Sequence, residues 1–327
     1  LDLIKEIHQF LATEIEQMNK SILQNLAAEE ELVTLVGNHI AKSGGKRIRP
    51  VLTLLAAKMF DYQGTKANKL ATAVEFIHMA TLLHDDVVDG SKMRRFLPTA
   101  NVVWGSKASV LVGDFLFSQS FKLMVDTGSI ESMKILSSAS TVIAEGEVSQ
   151  LAKLEEHRII TEDEYLQIIN AKTAELFASA TQVGAIICDQ STQYALALRD
   201  FGRNLGIIFQ IIDDLLDYFN DTQATGKNTG EDFMEGKVTL PIILLAPKLP
   251  IDKKNKVMSL IAAPNRTADD FSWVKELLAQ YGTRDEIFNY LHKLKQKAYE
   301  ALETIKIENQ CKEYLKALVE FAANRSY

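Results

Sequence analysis

The stretch His84-Asp85-Asp86-Val87-Val88-Asp89 closes a long apolar run that begins near Ala67. The same spelling returns at Asp213-Asp214-Leu215-Leu216-Asp217, within a second such run, Asp200–Asn220. Both runs carry helical periodicity. Residues four apart share a helix face, so Asp85 and Asp89 point one way, as do Asp213 and Asp217. Working outward from these two helices, no segment shows convincing strand alternation, and no fixed-period repeat appears. The expected fold is all-α: one large helical bundle, a single domain over 1–327, with its site built in a central cavity by facing helices.

Six gathered carboxylates repel one another unless a cation sits among them. All-oxygen donors suit Mg²⁺, which takes one or two carboxylates per ion and completes its shell with water and phosphate oxygens. The expected metal set is Asp85, Asp86, Asp89, Asp213, Asp214 and Asp217, forming two Mg²⁺-loaded jaws for a phosphorylated substrate.

The cations fit that picture. Ser43-Gly44-Gly45-Lys46-Arg47-Ile48-Arg49-Pro50 breaks one helix and opens the next, with Pro50 in its first turn. Lys and Arg beside unpaired backbone N–H groups make a phosphate receptor; a solvated basic turn is the plainer reading. Arg94 and Arg95 follow the first motif in the loop Gly90–Asn101. Lys172-Thr173 sits oddly inside an apolar helix, opened by a capping box at Thr161–Glu164. The glycine-spaced stretch Thr225–Lys237 carries Lys227 and Lys237 directly after the second motif, as a lid or phosphate clamp would. His78 shares the face of Asp85. Gly202, Gly206 and Gln210 share the face of Asp213, where helix–helix packing is the alternative to a ligand.

Composition sets the bounds. The chain has 327 residues, 47% hydrophobic and 24% charged, with a net charge of −7, which suits a globular protein and argues against a nucleic-acid partner. Two cysteines, Cys188 and Cys311, make no disulfide framework and point to a reducing, cytoplasmic setting. Apolar runs such as Leu240–Ala246 fall short of the roughly 18 residues a membrane span needs, and the N-terminus reads as amphipathic helix rather than signal peptide. Leu3, Ile7, Phe10, Leu11, Met18, Ile22 and Leu26 are expected in the core. Ala108–Val125, apolar nearly all round, is expected to be buried.

Together these stretches resemble the trans-isoprenyl (polyprenyl) diphosphate synthases. Gly-Gly-Lys-Arg-Ile-Arg-Pro at 44–50, His-Asp-Asp-Val-Val-Asp at 84–89, Arg94-Arg95, Lys172-Thr173-Ala174, Phe209-Gln210 through Asp217, and Glu235-Gly236-Lys237 with Thr239-Leu240-Pro241 follow the family's order. The resemblance implies the isoprenoid synthase fold, usually as a homodimer. It also implies roles: Lys46, Arg49, His78 and Arg95 for isopentenyl diphosphate; Arg94, Lys172, Lys227 and Lys237 for an allylic diphosphate such as farnesyl diphosphate; Asp85, Asp89 and Asp213 leading in Mg²⁺ binding. Lys172, Thr173 and Gln210 are the implied catalytic set, with Thr173 and Gln210 placing oxygen dipoles near a developing carbocation. Two positions depart from the family pattern. Asn228 stands where Pro is common, and Phe96 where Gly follows the Arg pair.

Short-chain members tend to place an aromatic residue four or five positions before the first aspartate. Here Thr81 and Ala80 are small, so with Ile77 they would line an open tunnel for a growing chain, and Phe117, Phe121 and Met124 would form its floor. The wording around Met79–His84 and Val110–Asp114 resembles the long-chain octaprenyl and decaprenyl synthases that make quinone side chains. The alternatives are a shorter-chain synthase, such as geranylgeranyl diphosphate synthase, and a non-catalytic regulatory subunit; the latter typically loses aspartates, and this chain keeps all six.

Overall fold

The computed structural model describes residues 2–43, 45–219 and 229–325. Among them the fold is helical throughout, apart from one two-residue antiparallel pair, Met93–Arg94 with Leu97–Pro98. The described residues cluster into two compact units. One draws on Leu1–Ser140, Leu176–Gly202 and Ala301–Leu318, the other on Thr141–Glu175, Arg203–Glu300 and Val319–Tyr327.

The first unit begins with α1 (Asp2–Phe10), α2 (Ala12–Leu26), α3 (Glu31–Lys42) and α4 (Ile48–Met59). Ile7, Leu11, Met18, Ile22 and Leu26 are buried, so the N-terminal arm is core as its periodicity predicts. At the centre stands α5 (Lys66–Val88), which buries Leu70, Val74, Phe76, Ile77, Ala80 and Leu83 and carries the first acidic motif at its end. Next comes α6 (Ala100–Trp104), then α7 (Ser106–Val125), antiparallel to α5. Near the motif, Ser109 Oγ donates to the Leu83 carbonyl at 2.9 Å and the His84 ring donates to the Val110 carbonyl at 3.1 Å. At the far end, Lys69 Nζ donates to the Asp126 carbonyl at 2.9 Å. The helices meet closely because Gly113 has no side chain: a Cβ there would lie 2.3 Å from His84 Nε2.

One expectation for α7 is corrected. Its inner face is buried, but Leu111 is 67% and Val125 61% exposed, and Phe117 and Phe121 are half-buried. An apolar helix is not obliged to bury its whole circumference in its own chain when another surface can cover it. At 20 residues it is also long and apolar enough to cross a membrane by length and composition, which no inspected run was expected to be. Its packing on α5 is equally that of a globular core helix.

The second motif lies on α11 (Thr192–Phe219), which follows α8 (Ile130–Glu155), α9 (Glu162–Ile169) and α10 (Glu175–Ile186). The capping box opening α9 is present: the Glu164 N–H donates to Thr161 Oγ1 at 3.2 Å, and the Thr161 N–H donates to Glu164 at 2.8 Å. Between α9 and α10 the backbone widens into one π-helical turn, Asn170–Ala174, and Lys172 and Thr173 sit on it. The second unit continues with α12 (Glu231–Glu235), α13 (Leu240–Leu245), α14 (Ile251–Ala262), α15 (Ala268–Gln280) and α16 (Thr283–Glu303). Tyr218, Phe233, Val257, Phe271 and Val274 anchor its core. The chain's last described helix is α17 (Gln310–Ala323). In the first unit, Gly202 packs where a Cβ would lie 2.5 Å from the Phe177 carbonyl oxygen, so its role is helix packing.

Candidate functional site

In the first unit, the C-terminal end of α5 gathers cations around the acidic motif. Asp86 is almost fully buried and receives Arg94 through two nitrogens, Nη2 at 2.7 Å and Nε at 3.1 Å. Asn101 Nδ2 donates to the Asp86 carbonyl at 3.0 Å and to that of Ser91 at 3.1 Å. These bonds tie the 90–99 segment to the helix end. The tip of that segment is a two-residue turn, Arg95-Phe96, in which both residues have positive φ, 48° and 68°. This is the backbone that glycine and asparagine usually supply, and the side chain of Phe96 stands out into solvent.

Arg95 reaches back from this turn to the 44–50 stretch, where a Cβ on Gly45 would lie 2.6 Å from its Nη1. Lys46, beside Gly45, is half-buried. Arg49 Nη1 donates to His78 Nε2 at 3.1 Å, and its guanidinium lies 4.6 Å from the Phe177 ring centroid. His78 therefore accepts, and it is uncharged: burial pushes its pKa well below the usual value, and the positive field of Arg49, Arg95, Arg94 and Arg47 adds to that. Arg47 itself pairs with Glu75 at 2.9 Å and is structural. Three of the residues expected to hold isopentenyl diphosphate, Arg49, His78 and Arg95, thus lie close together in one unit. Asp85 is half-buried and Asp89 exposed at the motif's open side.

The second unit assembles a different set. Thr173 Oγ1 donates to Gln210 Oε1 at 2.7 Å. Gln210 Nε2 in turn donates to Asp214 Oδ1 at 2.8 Å, and the buried Tyr165 hydroxyl donates to Asp214 Oδ2 at 2.6 Å. This relay sets the direction of the Gln210 amide, because Asp214 demands its NH₂ end. Lys172 Nζ is 2.7 Å from Glu147 Oε2. Gly146 lets the π turn approach α8, since a Cβ there would lie 2.7 Å from Ala171 Cβ. Asp217 accepts three backbone N–H groups, from Gly230, Glu231 and Asp232, each at 3.1 Å, and so caps α12 from a distance. Lys237, just past α12, pairs with Glu235 at 2.7 Å. Lys227 and Asn228 lie outside the described residues. Tyr165, Arg325 and Asn101 were not marked by the sequence reading. Tyr165 looks like any core tyrosine on an amphipathic helix, and only its partner reveals it.

Charge is concentrated in this second cluster. Burial raises the Asp214 pKa to about 7, with repulsion from Asp213 and Asp217 adding to it and the bonds from Tyr165 and Gln210 opposing it. Burial also raises Asp217, against its three backbone N–H bonds, and raises Asp232, with Asp214 and Asp217 reinforcing the shift. Such a cluster favours a cation beside it. Among the described residues, no group of three or more His, Cys, Asp or Glu side chains forms a ready metal cage. Carboxylate oxygens are the donors a hard divalent cation takes, with water and phosphate completing its shell.

The sequence pattern of the polyprenyl synthetase family matches residues 30–278. The chain is 45% identical to octaprenyl diphosphate synthase of Escherichia coli (strain K12) over 240 residues, 73% of this chain and 74% of that protein. It is 37% identical to octaprenyl diphosphate synthase of Haemophilus influenzae, with 99% and 98% of the two chains covered. Among solved structures, it superposes on a decaprenyl diphosphate synthase from Rhodobacter capsulatus with a TM-score of 0.92 at 41% identity, and 98% of each chain is covered. A polyprenyl synthase from Caulobacter crescentus CB15, complexed with calcium and isoprenyl diphosphate, gives 0.93 at 40% identity and the same coverage. The all-α fold is that of the isoprenyl synthases, a divalent-metal-dependent group. The chain is a prenyltransferase and belongs to the polyprenyl synthetase family.

Proposed function

We propose that this chain is a long-chain trans-polyprenyl diphosphate synthase, working as one catalytic domain over 1–327. It adds isopentenyl diphosphate repeatedly, head to tail, to an allylic primer such as farnesyl diphosphate, and supplies a quinone side chain. The family match spans residues of both compact units, which supports a single functional domain. Mg²⁺ is the proposed ion, with Asp85, Asp89 and Asp213 leading and Asp86, Asp214 and Asp217 in support. When bound, it supplies Lewis-acid stabilisation of the departing diphosphate.

The rest falls to the chain's own residues. Arg94, Lys172, Lys227 and Lys237 hold the allylic diphosphate, and Lys46, Arg49, His78 and Arg95 hold that of isopentenyl diphosphate. The allylic C–O bond breaks with its electron pair going to diphosphate, and the isopentenyl double bond forms the new C–C bond. A proton then leaves the adjoining carbon for the released diphosphate, so no side-chain base is needed. Thr173 and Gln210 direct oxygen dipoles at the transient positive charge.

The observation that carries the long chain is the pair of small residues at Ala80 and Thr81, directly below Asp85. Ala80 and Ile77 are buried and Thr81 half-buried. By the antiparallel register, Phe117 on α7 comes about 10 Å below Asp85, and Phe121 and Met124 lie deeper, at 1.5 Å per residue. With farnesyl diphosphate, isopentenyl diphosphate and Mg²⁺, products should run well past C20; termination at C20 would leave the shorter-chain alternative standing. Ala80→Tyr should shorten the product, and an unchanged length would remove Ala80 from the tunnel.

A homodimer is proposed as the working form. The exposed apolar side of α7, with Val110, Leu111 and Val125, supports it. Leu111→Arg should yield monomers in sedimentation equilibrium. The two cysteines carry no disulfide, which suits a cytoplasmic enzyme whose lipid product passes on to membrane.

A further inference from the structure

Beyond α17 the chain returns to the second acidic motif. Arg325 Nη2 lies 2.7 Å from Asp213 Oδ1 and 3.0 Å from the Phe209 carbonyl oxygen. Its guanidinium carbon sits 3.7 Å from the Phe209 ring centroid. The Arg325 side chain is 5% exposed, against 37% for Asp213. Phe209 and Asp213 are four apart on α11 and present one face, and a single planar guanidinium engages a carboxylate, a carbonyl and a ring face upon it. Such a fork-shaped, weakly hydrated cation is suited to a buried ion pair.

We propose that Arg325 is a resident counter-cation for Asp213, which holds this carboxylate while no divalent ion is bound and must be displaced when one binds. The proposal rests on Asp213 as a metal ligand. It follows from electrostatics. Asp213 belongs to the cluster with Asp214, Asp217 and Asp232, whose mutual repulsion needs an offsetting positive charge. Arg325 supplies it at Asp213. A divalent ion on the same oxygen would stand within a few ångströms of the guanidinium, and like charges at that distance in a half-buried site repel strongly. The two cations therefore compete for one carboxylate. An ion arriving alone must displace Arg325. An ion arriving with diphosphate brings phosphate oxygens that can receive the displaced guanidinium. Arg325 thereby weakens binding of the bare ion and favours ion and diphosphate together, as a positioning residue acting through Asp213.

Direct binding of Mn²⁺, counted by electron paramagnetic resonance of the free ion, tests this without turnover. Arg325→Gln should bind Mn²⁺ alone about five-fold or more tighter than the unaltered protein, and Arg325→Lys should stay near it. The gap should narrow once inorganic diphosphate is added, and in an Asp213→Asn background Arg325→Gln should change nothing further. Phe209→Leu, which removes only the ring face, should shift affinity the same way by less, and serves if Arg325→Gln folds poorly. Equal or weaker Mn²⁺ binding by Arg325→Gln or Phe209→Leu overturns the proposal. If no variant binds Mn²⁺ even with diphosphate present, the reading of Asp213 as a metal ligand fails, and this inference with it.

Discussion

Both acidic motifs sit at the end of a long helix, yet their second and third aspartates are spent differently. After Asp85, Asp86 is tied to Arg94 eight residues on, and Asp89 stands exposed at the helix end. After Asp213, Asp214 is tied inward to Tyr165 and Gln210, and Asp217 caps another helix. The first motif thus anchors a basic surface hairpin. The second anchors an interior relay that orients an amide oxygen. The leading aspartates, Asp85 and Asp213, are both half-buried, and under the proposed function both lead in metal binding. Identical spelling here stands on two unlike scaffolds.

The largest expected effects test what is shared. Asp85→Asn and Asp213→Asn should each lower kcat by about 10³-fold, the scale of removing a principal charge-stabilising group, while the folded state persists in circular dichroism. A thousand-fold loss in one and near-normal turnover in the other would break the equivalence of the two motifs.

What differs should appear next. Arg94→Ala leaves the buried Asp86 carboxylate unpaired and should destabilise the protein by about 3 kcal/mol, read by denaturant unfolding. Tyr165→Phe removes one hydroxyl from the relay and should cost about 1 kcal/mol of stability. Its sharper signature is kinetic: a fall in kcat of roughly 10-fold or more with KM for both diphosphates little changed, as for a group that orients another. If Tyr165→Phe also has its full effect in a Gln210→Ala background, the relay is not the route by which Tyr165 acts. Asp217→Ala, losing three backbone caps, should cost about 1–2 kcal/mol.

Much of this fold was readable from periodicity. The two motif helices, the N-terminal arm and the capping box at Thr161 all stand where local pattern puts them, because each rests on contacts a few residues apart. The assembly of Arg49, His78 and Arg95 was legible only through family resemblance. The tasks of Asp86, Asp214 and Asp217 were not legible, because their partners, Gln210 four residues before Asp214 excepted, lie 8 to 49 residues away and are ordinary residue types. The half-exposed α7 was misjudged for a related reason. Apolar composition says that a surface will be covered, and not whether the cover comes from the same chain. The π turn at Asn170–Ala174 has no local sequence signal either; it packs against α8 where Gly146 leaves room for Ala171.

The smallest expected effect sharpens the contrast between the two surroundings. Left-handed backbone near the second motif falls on Gly230 and Gly236, at φ 86° and 80°. Near the first motif it falls on Gly90, at φ 63°, but also on Arg95 and Phe96, which have side chains and incur the strain. A left-handed non-glycine residue costs about 1–2 kcal/mol, and glycine returns about 0.5–1 kcal/mol of that through its freer unfolded chain. Phe96→Gly should therefore stabilise the protein by only about 0.5 kcal/mol, a rise of less than about one degree in Tm. Because Phe96 is 71% exposed, little packing is lost to offset the gain. A clear loss of stability instead would mean that the Phe96 ring is covered in the working protein, and that the strain in the hairpin is retained for that contact.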